Sequence, residues 1–157
     1  MGKSSISTVN ESNDLKVIEK YLKNYNNYKA GIKNLEKQLE YLIPGIDKLH
    51  VSENLDGKYY LQLDNGTYII NRNISKKSFM LYEDMESYKL IINAIGEALG
   101  ELDDIEIKFI DSRYIKRKSI VQTSFDLGYS EKYIFNLRKK TLNKLRISLK
   151  SLLISEY

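Results

Sequence analysis

The sequence contains no cysteine, a single proline and a single histidine in 157 residues. Without cysteine the chain has neither disulfides nor thiolate metal ligands, and His50 does not build a zinc site by itself. No stretch approaches the roughly 18–20 apolar residues that span a bilayer, and residues 1–8 lack the apolar run of a signal peptide. We therefore expect a cytoplasmic protein without a metal, a cofactor or a membrane partner.

Catalytic signals are equally scarce. The sequence has no Gly-rich phosphate loop and no paired acid–base constellation, so we expect the protein not to be an enzyme. The adjacent Asp103 and Asp104 stand at the predicted start of a short helix, where negative charge suits the helix dipole, and this explains them better than a catalytic pair does. With 42% hydrophobic and 29% charged residues, the composition is that of a folded, mainly helical protein.

Positive charge is concentrated in one segment. Residues 113–150 contain eleven Lys/Arg against Asp126 and Glu131, a net charge of +9, whereas the rest of the chain has fourteen Lys/Arg against nineteen Asp/Glu, a net charge of −5. Basic residues on a folded amphipathic segment favour a polyanionic partner, because they neutralise phosphates and release condensed counterions. A merely solvated basic surface is the alternative.

The N-terminal part predicts a flexible terminus over residues 1–13 and one long amphipathic helix over residues 14–43, with apolar residues recurring at steps of three and four. Pro44 and Gly45 end that helix. The apolar stripe of this helix must be buried against another surface. Either it forms a coiled-coil homodimer or helical hairpin, or it lies over the chain's own C-terminal domain.

Residues 44–80 form a predicted linker that contains a small β-hairpin. Asn65-Gly66 between alternating apolar residues favours a two-residue type I′ turn. In that register Leu63 faces Tyr68 and Leu61 faces Ile70.

Residues 81–157 are predicted to form a helical DNA-binding domain, with a helix-turn-helix at about 119–146. A first helix stops at Gly128, which can adopt the left-handed conformation of a helix C-terminus. Ser130 then caps a second helix. The expected fold class is therefore mainly α: a long N-terminal helix, a small β-hairpin and a C-terminal helix-turn-helix bundle.

The second helix of this motif has an apolar face and a basic, polar face. The N-terminal half of such a helix enters the major groove, where asparagine and lysine suit base edges and phosphates. We assign Lys132, Tyr133 and Asn136 to base readout. The residues assigned to the DNA backbone are Arg117, Lys118, Lys139, Lys140, Lys144 and Arg146.

The same stretch resembles sigma-70 region 4, and the resemblance covers roughly residues 98–146. That pattern runs from a small residue through Leu-Gly and a Ser/Thr cap to Ala-Leu-x-x-Leu-Arg. Its counterparts here are Ser124, Leu127-Gly128, Ser130, Ile134 and the ending Thr141 to Arg146. Two departures are Thr123, where isoleucine is usual, and Thr141, where alanine is usual.

No segment resembles the part of a sigma factor that melts promoter DNA. A long N-terminal helix joined to one region-4-like domain is similar to the ArpU and RinA type of phage late-gene regulators. The resemblance implies a phage or prophage transcriptional activator that binds double-stranded DNA at a promoter, with RNA polymerase as a further partner. The alternative is a protein-interaction module that binds RNA polymerase or a sigma factor with little DNA specificity.

Overall fold

The computed structural model describes residues 3–45, 49–53, 59–64 and 69–155. Their backbone is mainly helical, with a small antiparallel sheet. The helices are α1 (Lys3–Lys23), α2 (Tyr25–Leu42), α3 (Lys76–Gly100), α4 (Asp104–Ile110), α5 (Ile120–Leu127), α6 (Glu131–Ser148) and α7 (Lys150–Ser155). A π-helical segment, Asp111–Ile115, follows α4 directly. The strands are β1 (Leu49–Glu53), β2 (Tyr59–Asp64) and β3 (Ile69–Ile74).

The chain divides into two compact units. The helical unit comprises Met1–Asn27 and Ile91–Tyr157, and the mixed unit comprises Tyr28–Leu90.

The prediction of one long N-terminal helix is wrong. Helix already begins at Lys3, inside the segment expected to be flexible, and it is interrupted at Asn24 between α1 and α2. The Asn24 side-chain amide donates to the Lys20 carbonyl at 2.9 Å, and its backbone N–H donates to the same carbonyl. Asparagine competes for local backbone groups in this way, which favours a break at a point where the apolar pattern also slips.

The apolar stripe of α1 is covered within the chain. Ile18 and Leu22 are fully buried in the helical unit, where α1 packs against α6 and the π-helical segment. For the α1 part of the predicted stripe, packing on the chain's own C-terminal domain is therefore observed. A homodimer through the N-terminal helix stays a prediction.

The prediction of a small two-stranded hairpin in which Leu63 faces Tyr68 is also wrong. β2 pairs with β3 so that Leu63 lies opposite Ile70 and Asp64 opposite Ile69, whereas the predicted turn residues Asn65-Gly66 lie outside the described residues. β2 pairs with β1 as well, giving a three-stranded sheet of order β1-β2-β3. An isolated two-stranded hairpin is marginal in water, and a third strand stabilises it with further backbone hydrogen bonds. The residue preferences of a turn do not indicate that such a strand is present. The single histidine, His50, lies in β1.

In the mixed unit, Leu39 and Ile43 pack with Met85 in a small apolar core. Tyr28 and Tyr88 make an edge-to-face contact at 5.4 Å between ring centroids. α3 begins at Lys76, earlier than the expected start near residue 81, because Ser75 caps it by accepting a hydrogen bond from the Ser78 N–H at 3.1 Å.

The core of the helical unit joins α1 to the C-terminal helices. α4 starts at the N-cap Asp103, which forms a capping box with Glu106, so the predicted role of this acidic cluster at a helix N-terminus is confirmed. The fully buried side chains of this core come from α1, α3, α4, the π-helical segment, α6 and the residue after it; they are Ile18, Leu22, Ile95, Phe109, Tyr114, Ile134, Leu142, Leu145 and Leu149.

Candidate nucleic-acid interface

The turn between α5 and α6 has the conformation expected from the sequence. Gly128 adopts φ 76° and ψ 29°, the left-handed region, and its N–H donates to the Ser124 carbonyl at 3.0 Å. Ser130 is extended and its hydroxyl accepts from the Tyr133 N–H at 3.1 Å. The predicted turn at Gly128 and the predicted cap at Ser130 are both confirmed, and together they fix the direction in which α6 leaves the turn.

The two threonines that depart from the region-4 pattern are both buried with satisfied hydroxyls. Thr123 shares a hydrogen bond of 3.1 Å with Ser112, and both residues are buried. Thr141 donates to the Leu137 carbonyl at 2.7 Å. Because a buried hydroxyl is costly only when it lacks a partner, each threonine fits the core in place of an apolar residue.

Six of the predicted DNA-contacting residues are exposed on α6, and five of these, all but Lys144, form one set. No described carboxylate lies within ion-pairing distance of the lysines in this set. We call this surface the α6 face; its members are Lys132, Tyr133, Asn136, Lys139 and Lys140. Its side chains are therefore available to an external polyanion.

An aromatic pair lies at the N-terminal end of the α6 face. The rings of Tyr129 and Tyr133 stack with centroids 4.3 Å apart and an interplanar angle of 17°. Both are partly exposed, at 44% and 40%. Tyr133 was predicted to contact DNA, whereas Tyr129 was not among the predicted residues. The sequence does contain an indication of this pair, because Tyr129 and Tyr133 are four residues apart, with the N-cap residue between them. This spacing brings the two side chains onto one side of the turn.

Lys144, also predicted to contact DNA, is instead held by its own chain. Its Nζ lies 2.7 Å from Oε1 of Glu106, a fully buried carboxylate. The hydrogen bond to Glu106 raises the pKa of Lys144 above its ordinary value. A buried carboxylate needs a paired cation, so Lys144 is required at this position within the fold.

Arg146 is similarly engaged. Its Nε donates to Asp14 of α1 at 2.8 Å, and its NH1 lies 4.0 Å from Glu11. Arg146 and Asp14 are 132 positions apart in the sequence, so no local sequence pattern indicates this pair. Arg146 thus connects α1 to α6.

The two basic residues before α5 also have partners. Arg117, which has a positive φ of 56°, donates to the Lys23 carbonyl at 2.9 Å. Lys118 forms an ion pair with Asp126. Both contacts are at exposed positions, where ion pairs contribute little, so phosphates can compete for these side chains.

Sequence reasoning missed the cluster that joins α1 to α6. Glu19 accepts a hydrogen bond from the Tyr114 hydroxyl at 3.0 Å, and its other oxygen pairs with Arg138. Burial and the Glu19 carboxylate raise the pKa of Tyr114 above its ordinary value. Burial lowers the pKa of Arg138, but the Glu19 carboxylate and Tyr114 together more than offset this, and the net direction is upward.

Among the residues that the structure describes, no cluster of acidic or histidine side chains could hold a metal ion. No helix within the described ranges combines the length and apolar character needed to cross a membrane. No family model, curated protein or solved structure matches the chain.

Proposed function

We propose that this protein is a sequence-specific DNA-binding transcription regulator that reads promoter DNA with α6. The observation that carries the proposal is the α6 face: a capped helix after a helix-turn-helix turn, with exposed lysines, an asparagine and a tyrosine on its outer side. Asparagine can bond adenine bidentately, and lysine can donate to guanine or to phosphate oxygens. The mechanism is binding alone.

We further propose that the protein is a phage or prophage activator that acts in the cytoplasm at a promoter, next to RNA polymerase. This part of the proposal depends on the resemblance to sigma-70 region 4. A footprint over a −35 element would support this part, whereas a footprint elsewhere would contradict the sigma-like mode of action.

Lys140 and Lys144 provide a matched pair of lysines on α6 for the test. Lys140 belongs to the α6 face, whereas the ammonium of Lys144 is held by Glu106. We expect K139Q/K140Q to weaken binding to every duplex and to lower the slope of log affinity against log salt by about 1.8, since each lost phosphate contact removes about 0.9. K144Q should leave the slope nearly unchanged and lower the urea midpoint of unfolding. N136A should relax sequence preference with little change in slope.

The measurement is fluorescence anisotropy with a duplex selected from a random library, repeated at several salt concentrations. If wild type, K139Q/K140Q and N136A bind every duplex equally, the proposal is wrong. If K144Q reduces the slope as much as K139Q/K140Q does, the assignment of the α6 face is wrong.

One observation favours the second candidate, a module that binds RNA polymerase or a sigma factor. Phe125 and Val121 on the outer side of α5 are 86% and 58% exposed, and exposed apolar side chains close together are typical of protein contacts. If the protein is such a module, immobilised F125A should retain less purified polymerase than the immobilised wild-type protein does. The DNA affinity of F125A should stay at the wild-type value. Under the DNA-reading proposal, K139Q/K140Q is the variant that loses promoter occupancy.

A further inference from the structure

α1 carries three exposed lysines at spacings of four and three residues, namely Lys16, Lys20 and Lys23. Residues spaced in this way share one face of a helix. The three acidic residues of α1 face α6: Asp14 and Glu19 pair with Arg146 and Arg138, and Glu11 lies 4.0 Å from Arg146. The helix therefore separates its charges, with carboxylates toward the protein and ammonium groups toward the outside.

The ion pairs fix the direction in which α1 runs beside α6. Glu19 pairs with Arg138, whereas Asp14, earlier in α1, pairs with Arg146, later in α6. The two helices are consequently antiparallel. The C-terminal end of α1 lies toward the N-terminal half of α6, which is the half that enters the major groove in helix-turn-helix proteins.

Two further contacts place the lysine face next to the α6 face. A surface groove between the helices is lined by residues of both; those from α1 are Glu11, Ser12, Leu15, Lys16 and Glu19, and those from α6 are Arg138, Lys139 and Asn143. At the other end of α1, Arg117 donates to the Lys23 carbonyl, which joins the last turn of α1 to the residues before α5. Lys16 of α1 and Lys139 of α6 thus line one groove, in which Glu19 is paired with Arg138.

Lysines in the last turn of a helix also complement the helix dipole, and this accounts for Lys20 and Lys23 without any ligand. It does not account for Lys16, which lies more than one turn from that end and lines the same groove as Lys139.

We propose that α1 is a second DNA-contacting element, in which Lys16, Lys20 and Lys23 bind phosphates of the backbone that borders the groove entered by α6. This inference rests on the proposed function. It assigns to α1 a role in binding strength and register rather than in base readout, because phosphate contacts position a protein without reading sequence.

The test compares two double variants with the same charge change. K16Q/K20Q removes two lysines from the α1 face, and K33Q/K37Q removes two exposed lysines at the same spacing on α2. Binding of the full chain to its selected duplex is measured over a series of salt concentrations, with urea unfolding as a check on folding. We expect K16Q/K20Q to lower the salt slope by about 1.8 and K33Q/K37Q to leave it at the wild-type value.

A second readout uses the length of the DNA. On a duplex trimmed to the selected core, the difference between wild type and K16Q/K20Q should shrink, because the bordering phosphates are gone. If K139Q/K140Q lowers the slope but K16Q/K20Q does not, α1 makes no phosphate contact and only this inference fails. If wild type binds no duplex, the proposed function itself fails. Equal loss in K16Q/K20Q and K33Q/K37Q would show a nonspecific effect of charge and would also overturn the role of α1.

Discussion

Replacing Gly128 with alanine should destabilise the helical unit, whereas the same replacement at Gly96 should stabilise it. A Cβ at either position meets no atom within 4 Å, so steric overlap does not distinguish the two sites. The backbone does. Gly128 has φ +76° at the end of α5, while Gly96 lies within α3 and has no positive φ.

The magnitudes follow from that difference. An L-residue in the left-handed region costs about 1–2 kcal/mol. Alanine also lowers the conformational entropy of the unfolded chain, which offsets about 0.4–1 kcal/mol of this cost. We expect a net loss of roughly 0.5–1 kcal/mol for G128A, and a gain of about 0.5–1 kcal/mol for G96A from helix propensity.

Urea unfolding followed by circular dichroism measures both variants. G128N provides a third point, since asparagine tolerates the left-handed conformation better than alanine and should recover part of the loss. If G128A is as stable as the wild type, or if the two alanine variants shift in the same direction, the backbone argument for this turn is wrong.

Two further predictions concern tyrosines. The pKa of Tyr114 is raised in the folded state, so its contribution to stability is complete below the unfolded value of 10.0 and is lost as pH rises above it. Y114F should therefore show a shallower fall in unfolding free energy between pH 9 and pH 11 than wild type, with Y41F, at an 86% exposed position, as the control; an unchanged slope in Y114F would contradict this. For the Tyr129–Tyr133 pair, replacing thymines of the selected duplex by deoxyuracil should weaken wild-type binding roughly fourfold at a contacted position, since a buried methyl contributes about 0.8 kcal/mol. Y129A/Y133A should show no such difference, and equal sensitivity in both proteins would exclude contact with the thymine methyl.

The elements that the sequence predicted well depend on neighbours along the chain. The glycine at 128 and the serine at 130 act within a few residues, through one left-handed backbone conformation and one side-chain hydrogen bond. The apolar spacing on α6 likewise predicts which residues are buried, as Ile134 and Leu145 show. Such signals are local, and hydrogen-bond geometry and periodicity make them readable without a tertiary structure.

The errors came from competition between local signals and distant contacts. Asn65-Gly66 favours a two-residue turn, but the pairing of Leu63 with Ile70 and the addition of β1 set a different register. The continuous apolar pattern from residue 14 onward predicted a single helix, but it could not show that Ile18 and Leu39 are buried in two separate units. Side-chain periodicity reports that a face is apolar without reporting what covers it.

The helix-turn-helix was determined by the sequence itself, down to its turn, its cap and the basic character of its second helix. Which of its cations remain available for a ligand was decided only by the tertiary structure. Lys140 and Lys144 are both exposed, yet the ammonium of Lys144 pairs with the buried Glu106, whereas no described carboxylate lies within ion-pairing distance of Lys140. Arg146 is also paired within the chain, with Asp14, which lies 132 positions earlier in the sequence. A charge is visible in the sequence, but its neutralisation depends on a distance in space that sequence spacing does not encode.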